Sequence, residues 1–258
     1  TGLEPWRTDG TVSGTGLVED VNKEPAFASS SLTLGFAQAD ALLYAPTFSV
    51  PLGRSDGTAA GTTLVTGDFS ISWASARPLM MKGVLYLPAQ TSAAGTELWR
   101  SDGTTAGTWL VKDVLPGSTA SNPRMLGVLG DKVLFIANNP QWGGEALWVT
   151  DGTAAGTLFV KDIHPGSATW SSPDERAVVL GGVAYFSVDD GVAGPELWKS
   201  DGTASGTQRV VDLLPGAVGS SPTFLTRHQD ALFFLARESI ASNSFGTLFK
   251  LEPATGAV

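Results

Sequence analysis

The chain reads as all-β, built from a repeated four-stranded unit, and three observations carry that reading. Asp-Gly-Thr recurs at Asp9, Asp56, Asp102, Asp151 and Asp201, at intervals of 46 to 50 residues; a fixed period in that range reports stacked supersecondary units. Gly 31 and Pro 15, with only 16% charged residues, describe many tight turns between short strands. Finally, one strand-length segment per repeat is continuously apolar: Ala41–Tyr44, Val84–Leu87, Val133–Ala137, Val183–Phe186 and Ala231–Leu235.

The clearest copy, 97–144, divides at its Gly, Pro and Asn/Asp clusters into four strand-length pieces. Glu97–Arg100 leads into the turn 101–107. Thr108–Asp113 follows, and after Leu115-Pro116-Gly117 comes Arg124–Leu129. Lys132–Ala137 then leaves the tight turn Gly130-Asp131.

A strand with one wet face alternates in polarity, whereas an unbroken apolar run implies cover on both faces. Radially arranged sheets provide that cover, because each blade lies between two others. Inner strands near Leu32, Leu79, Leu126, Val179 and Phe224 make the count five. The expectation is one domain, 1–258: a five-bladed β-propeller of four-stranded antiparallel blades. Its repeats run approximately 4–50, 51–96, 97–144, 145–195 and 196–247, with a closing strand at 248–258. Closure is expected from the pairing of N- and C-terminal strands, with 15–20 as the outer strand of the last blade, since this removes sheet edges.

Composition narrows the partners. A net charge of −9 opposes nucleic acid and anionic membrane by repulsion. The absence of cysteine excludes disulfides, thiolate chemistry and cysteine-ligated zinc. No apolar run is long enough for a membrane-spanning helix, and Thr1 in place of methionine is consistent with a trimmed leader.

The repeated residues read as scaffold. In Asp-Gly-Thr-x-x-Gly-Thr the aspartate (Asp9, Asp56, Asp102, Asp151, Asp201) is expected to accept bonds from amides two residues on. The glycines are expected to supply positive φ. One carboxylate per turn falls well short of the oxygens calcium takes, so no metal or other cofactor is expected. Trp6, Trp99, Trp148 and Trp198 recur once per unit and are expected to pack between sheets. Asp20, Asp113, Asp162 and Asp212 end the next strand and suggest a bond to a neighbouring turn.

These segments, ELWRSDGTTAGTWLVKDVLPG at 97–117 and its copies at 145–166 and 196–216, resemble the bacterial ELWxxDGT repeat proteins. Agreement is partial at 4–21 and eroded at 51–68, where PLGRSDGT lacks the tryptophan. The resemblance implies an exported, extracellular or surface-associated propeller. It supplies no catalytic residue.

Function is sought where the copies differ. In an up-and-down blade the tight turns share one end, and the variable connections share the other: 67–77, 138–145, 164–173, 188–195 and 238–246. Trp73, Trp142 and Trp170 fall in these connections, outside the repeated position. Indoles among polar side chains suit sugars, so Trp73, Trp142, Trp170, Asn138, Asp189 and Asp190 are the expected ligand-binding residues. The expected function is recognition of a glycan or cell-surface protein, lectin-like and without catalysis. One alternative is a glycoside hydrolase using two of Asp174, Glu175, Asp189, Asp190 and Glu238. Another is an architectural adhesion or surface-layer component. His164 and His228 are the only histidines, and no nucleophile elbow or His-Glu-x-x-His is present.

Overall fold

The computed structural model describes residues 6–20, 35–38, 41–44, 52–71, 78–141, 144–166, 176–239 and 246–258. It divides into two compact units, Thr1–Ala120 and Ser121–Val258, each described by itself.

The first unit begins with a ribbon of β1 (Trp6–Arg7) and β2 (Gly16–Leu17). Two four-stranded antiparallel sheets follow. One holds β3 (Gly35–Gln38), β4 (Ala41–Tyr44), β5 (Leu52–Ser55) and β6 (Thr63–Val65) in sequence order. The other holds β7 (Leu79–Met81), β8 (Val84–Thr91), β9 (Gly95–Ser101) and β10 (Trp109–Lys112), also in sequence order. Leu52 and Val65 of the first sheet pack with Leu85, Leu87, Ala89 and Trp99 of the second.

The second unit repeats the plan. β11 (Arg124–Leu129), β12 (Lys132–Asn138), β13 (Glu145–Thr150) and β14 (Leu158–Lys161) form one sheet. β15 (Val178–Leu180), β16 (Val183–Asp189), β17 (Pro195–Ser200) and β18 (Gln208–Val211) form the next. β19 (Thr223–His228), β20 (Ala231–Ala236) and β21 (Thr247–Leu251) form a three-stranded sheet among the described residues.

Double-sided burial explains the unbroken apolar runs. Along β16, Ala184, Phe186 and Val188 face the core shared with β11–β14, whereas Tyr185 faces the core shared with β19–β21. Period-2 alternation is present in direction but invisible in polarity, because each face meets another sheet.

Gly16–Leu17 pairs with Trp6–Arg7 across the short loop 8–15, and no closed sheet forms among the described residues. The expected inner-strand residue Leu32 lies outside the described residues, and β3 starts at Gly35. Each four-stranded sheet takes its first two strands from one sequence repeat and its last two from the next.

Candidate functional site

The repeated turn is built the same way five times. Asp102 Oδ1 accepts from Thr104 N (2.9 Å) and Thr104 Oγ1 (2.7 Å), and Thr104 Oγ1 accepts from Gly107 N (2.9 Å). Thr108 Oγ1 donates to Thr104 O (2.7 Å) and meets Ser101 Oγ at 2.6 Å. Asp9, Asp56, Asp151 and Asp201 make the same pair of bonds to Thr11, Thr58, Thr153 and Thr203. Those bonds hold the carboxyls of Asp9, Asp56, Asp151 and Asp201 below the ordinary aspartate value.

Only the first glycine of the motif needs positive φ: Gly10, Gly57, Gly103, Gly152 and Gly202 lie between 86° and 91°. The second, expected to do the same, is required for space instead. A Cβ at Gly14, Gly61, Gly107, Gly156 or Gly206 would fall on the carboxylate of Asp9, Asp56, Asp102, Asp151 or Asp201.

The tryptophans divide. Trp198 is buried in the core shared by β11–β14 and β15–β18, and Trp99 packs against the Leu52–Val65 core, as expected of a spacer between sheets. Trp148 is buried against Phe135 (6.4 Å) and Phe159 (5.7 Å). Trp6 departs from the expectation at 66% exposure, because its ribbon has only two strands. Among the described residues, no bond from Asp20, Asp113, Asp162 or Asp212 to a neighbouring turn is present. Asp113 Oδ2 accepts from Gly117 N in its own loop (3.3 Å). In the second unit that reach is made by the adjacent lysine, whose Lys161 Nζ donates to Thr207 O (2.8 Å) and lies 5.7 Å from the Trp198 ring centroid.

Sequence reasoning missed the buried glutamate before Leu-Trp. Glu196, fully buried, accepts from Leu213 N (3.3 Å), Leu214 N (3.4 Å), Ser220 N and Ser220 Oγ (2.8 and 2.6 Å). Glu97 occupies the same register and accepts from Val114 N (2.9 Å). A charged residue repeated inside an apolar strand was the available signal. In β13 the register position is Ala146; the glutamate stands one residue earlier as Glu145 and pairs with Arg124 at 2.7 Å.

At the end of the sheets opposite the Asp-Gly-Thr turns, the first unit has a cavity of about 620 Å³. Asp68, Ser70, Gln90, Thr91, Ser92 and Ser118 line it, with Gly67, Phe69 and Gly95. Ser70 and Gln90 exchange backbone bonds (3.0 and 2.8 Å), which pin the loop after β6 to β8. Phe69 stacks on Trp99 at 5.1 Å and forms an apolar floor. A Cβ at Gly67 would press on that ring, and one at Gly95 on the backbone of Ser118–Thr119, so both glycines shape the walls.

The expected ligand residues fare differently. Trp73, Trp142 and Trp170, with Asp174 and Glu175, lie outside the described residues. Asn138 and Asp189 occupy equivalent strand-end positions in β12 and β16. Asn138 N donates to Ser121 O (2.8 Å), and Asp189 Oδ1 accepts from Gly191 N (2.8 Å). Asp190 Oδ1 accepts from Val192 N and Ala193 N (2.9 and 2.8 Å), while its Oδ2 lies 3.5 Å from Arg209. Burial raises the Asp190 pKa, but these bonds and Arg209 outweigh it and leave the carboxyl below its ordinary value. The two aspartates thus brace their own loop, and neither they nor Asn138 line the cavity above.

No protein-family profile and no curated protein matches the chain. Among solved structures, a puromycin hydrolase is similar at 14% identity and TM-score 0.51, with 87% of this chain and 37% of that one covered. A prolyl endopeptidase is similar at 10% identity and TM-score 0.54, with 90% and 36% covered. The chain therefore spans just over a third of those proteins, and at such identities the likeness shows a propeller-like all-β fold alone.

Proposed function

We propose that the chain is a non-catalytic recognition module, exported or surface-associated, that binds carbohydrate through the loop end of its sheets. The five sheets would stand as the five blades of one propeller, as the ELWxxDGT-type repeats imply. The observation that carries the reading is the cavity bordered by Asp68, Ser70, Gln90, Ser92 and Ser118. Hydroxyls, an amide and one carboxylate over an aromatic floor match the alternating polar and C–H surfaces of a sugar.

Asp68 is exposed and has no hydrogen bond or ion pair among the described residues, which leaves both oxygens for sugar hydroxyls. The glycoside hydrolase alternative needs two carboxylates at a common site. Asp189 and Asp190 are instead engaged by their own loop.

A glycan array, followed by titration of the best ligand, tests the reading. Asp68→Ala and Trp73→Ala should each weaken binding about tenfold, the loss of roughly one good contact. Absence of any glycan bound at millimolar concentration, or variants binding like the parent, would overturn it.

A further inference from the structure

The second unit contains two successive sheet-to-sheet interfaces built from equivalent strands, and they differ in chemistry. Where β11–β14 meets β15–β18, the interface is dry. Leu129, Leu134, Ile136, Leu147 and Val149 pack on Val179, Ala184, Phe186 and Trp198. The turn at Gly202 seats close to Leu129 and Val149.

The register of the hairpins gives the matching positions one sheet further on. Leu134 pairs with Val149 in the first sheet, and Tyr185 pairs with Lys199 in the second. Tyr185 thus stands where Leu134 stood, and Lys199 where Val149 stood. Arg227 replaces Val179 one residue before the turn, and Pro253 replaces Gly202. At this second interface a cavity of about 620 Å³ opens, lined by Leu180, Tyr185, Lys199, Asp201, Gln208, Arg227, Asp230 and Pro253 among others. It lies at the Asp-Gly-Thr end, opposite to the end that carries the variable loops.

Two carboxylates, Asp201 and Asp230, share the cavity with its two cations, and the Lys199 charge helps to lower the Asp201 pKa, but no salt bridge joins them. Neither Lys199 nor Arg227 has an ion pair among the described residues, and Arg227 makes one hydrogen bond, Nε to Gln229 O (2.9 Å). In the first unit the register equivalent of Lys199 is Arg100, whose guanidinium rests on Trp109 at 4.4 Å from the ring centroid. The residue facing Lys199 from the outer strand is Gln208, which offers no such platform. Tyr185 is a buried ring lining the same cavity, with Leu180 and Pro253 beside it as apolar walls. Asp201 and Asp230 add acceptors.

We propose that this cavity is a second binding site, for a small carboxylate ligand rich in hydroxyls, of the sugar-acid class. Lys199 and Arg227 take the carboxylate through charge-assisted hydrogen bonds. Gln208 donates to or accepts from the hydroxyls, Asp201 and Asp230 accept from them, and Tyr185, Leu180 and Pro253 cover the apolar face of the ring.

Titration calorimetry with glucuronate, glucose and acetate tests it. Glucuronate should bind in the millimolar range or tighter, and glucose and acetate each about tenfold more weakly or worse. The double variant Lys199→Val/Arg227→Val copies the dry interface of Val149 and Val179. It should keep or raise the thermal midpoint while weakening glucuronate at least about tenfold. Lys199→Gln should show an intermediate loss. Equal affinity for glucose and glucuronate, no glucuronate bound at millimolar concentration, or a double variant that binds like the parent would each overturn the proposal.

Discussion

The Asp102 carboxylate occupies the space in which any side chain at Gly107 would begin. Four further copies of the pair, at Asp9 and Gly14, Asp56 and Gly61, Asp151 and Gly156, and Asp201 and Gly206, repeat the relationship. A turn whose carboxylate fills the space beside its glycine couples the two positions.

Gly107→Ala should therefore destabilise the fold, within the range of about 0.5–3 kcal/mol typical of damaging substitutions. In an Asp102→Ala background the same change should cost less, with a coupling of about 1 kcal/mol or more between the two sites. Urea denaturation of the four proteins of the cycle reads both numbers. Simple additivity would contradict the geometry.

Acid should weaken the turns. The carboxyls of Asp9, Asp56, Asp151 and Asp201 titrate below the ordinary value of 3.8 because folded Thr11, Thr58, Thr153 and Thr203 donate to the charged form. A depressed folded pKa gives stability that is complete above the unfolded value and is lost as pH falls through the folded one. The thermal midpoint should thus hold near neutrality and decline below the ordinary aspartate range. Asp201→Asn should shallow that decline, as measured by calorimetry between neutral and strongly acidic pH.

Glu196→Gln removes the charge from a fully buried acceptor of three backbone amides and turns one oxygen into a donor. The loss should reach about 2 kcal/mol, the scale of a buried polar group left badly paired. Hydrogen exchange should localise the weakening to Leu213, Leu214 and Ser220.

Two tryptophans of the same motif should behave oppositely. Trp198→Ala, in the shared core, should cost about 3–5 kcal/mol. Trp6→Ala, at 66% exposure, should stay within about 0.5 kcal/mol. Chemical denaturation of both variants checks the contrast.

Much of the scaffold was legible because it is local. The run Val183–Phe186 announced sheets covered on both faces, and the structure sends Ala184 and Phe186 to one core and Tyr185 to the other. The bond from Asp to Thr two residues on was readable for the same reason. The role of the second glycine was not, since it depends on where a carboxylate five residues earlier comes to rest. Glu196 escaped notice because its partners lie 17 to 24 residues away. In the candidate site, Asp68 and its loop 67–77 were marked as variable, but Gln90 and Ser118 joined it only through sheet pairing.

By itself the sequence determined the repeat, the strands and the turns, because hydrophobic pattern and Asp-Gly chemistry act over a few residues. Only the tertiary structure decided which interfaces are dry and which are hollow. Lys199 and Arg227 look like ordinary surface cations along the chain, and it is the stacking of one sheet on the next that places both around a single cavity.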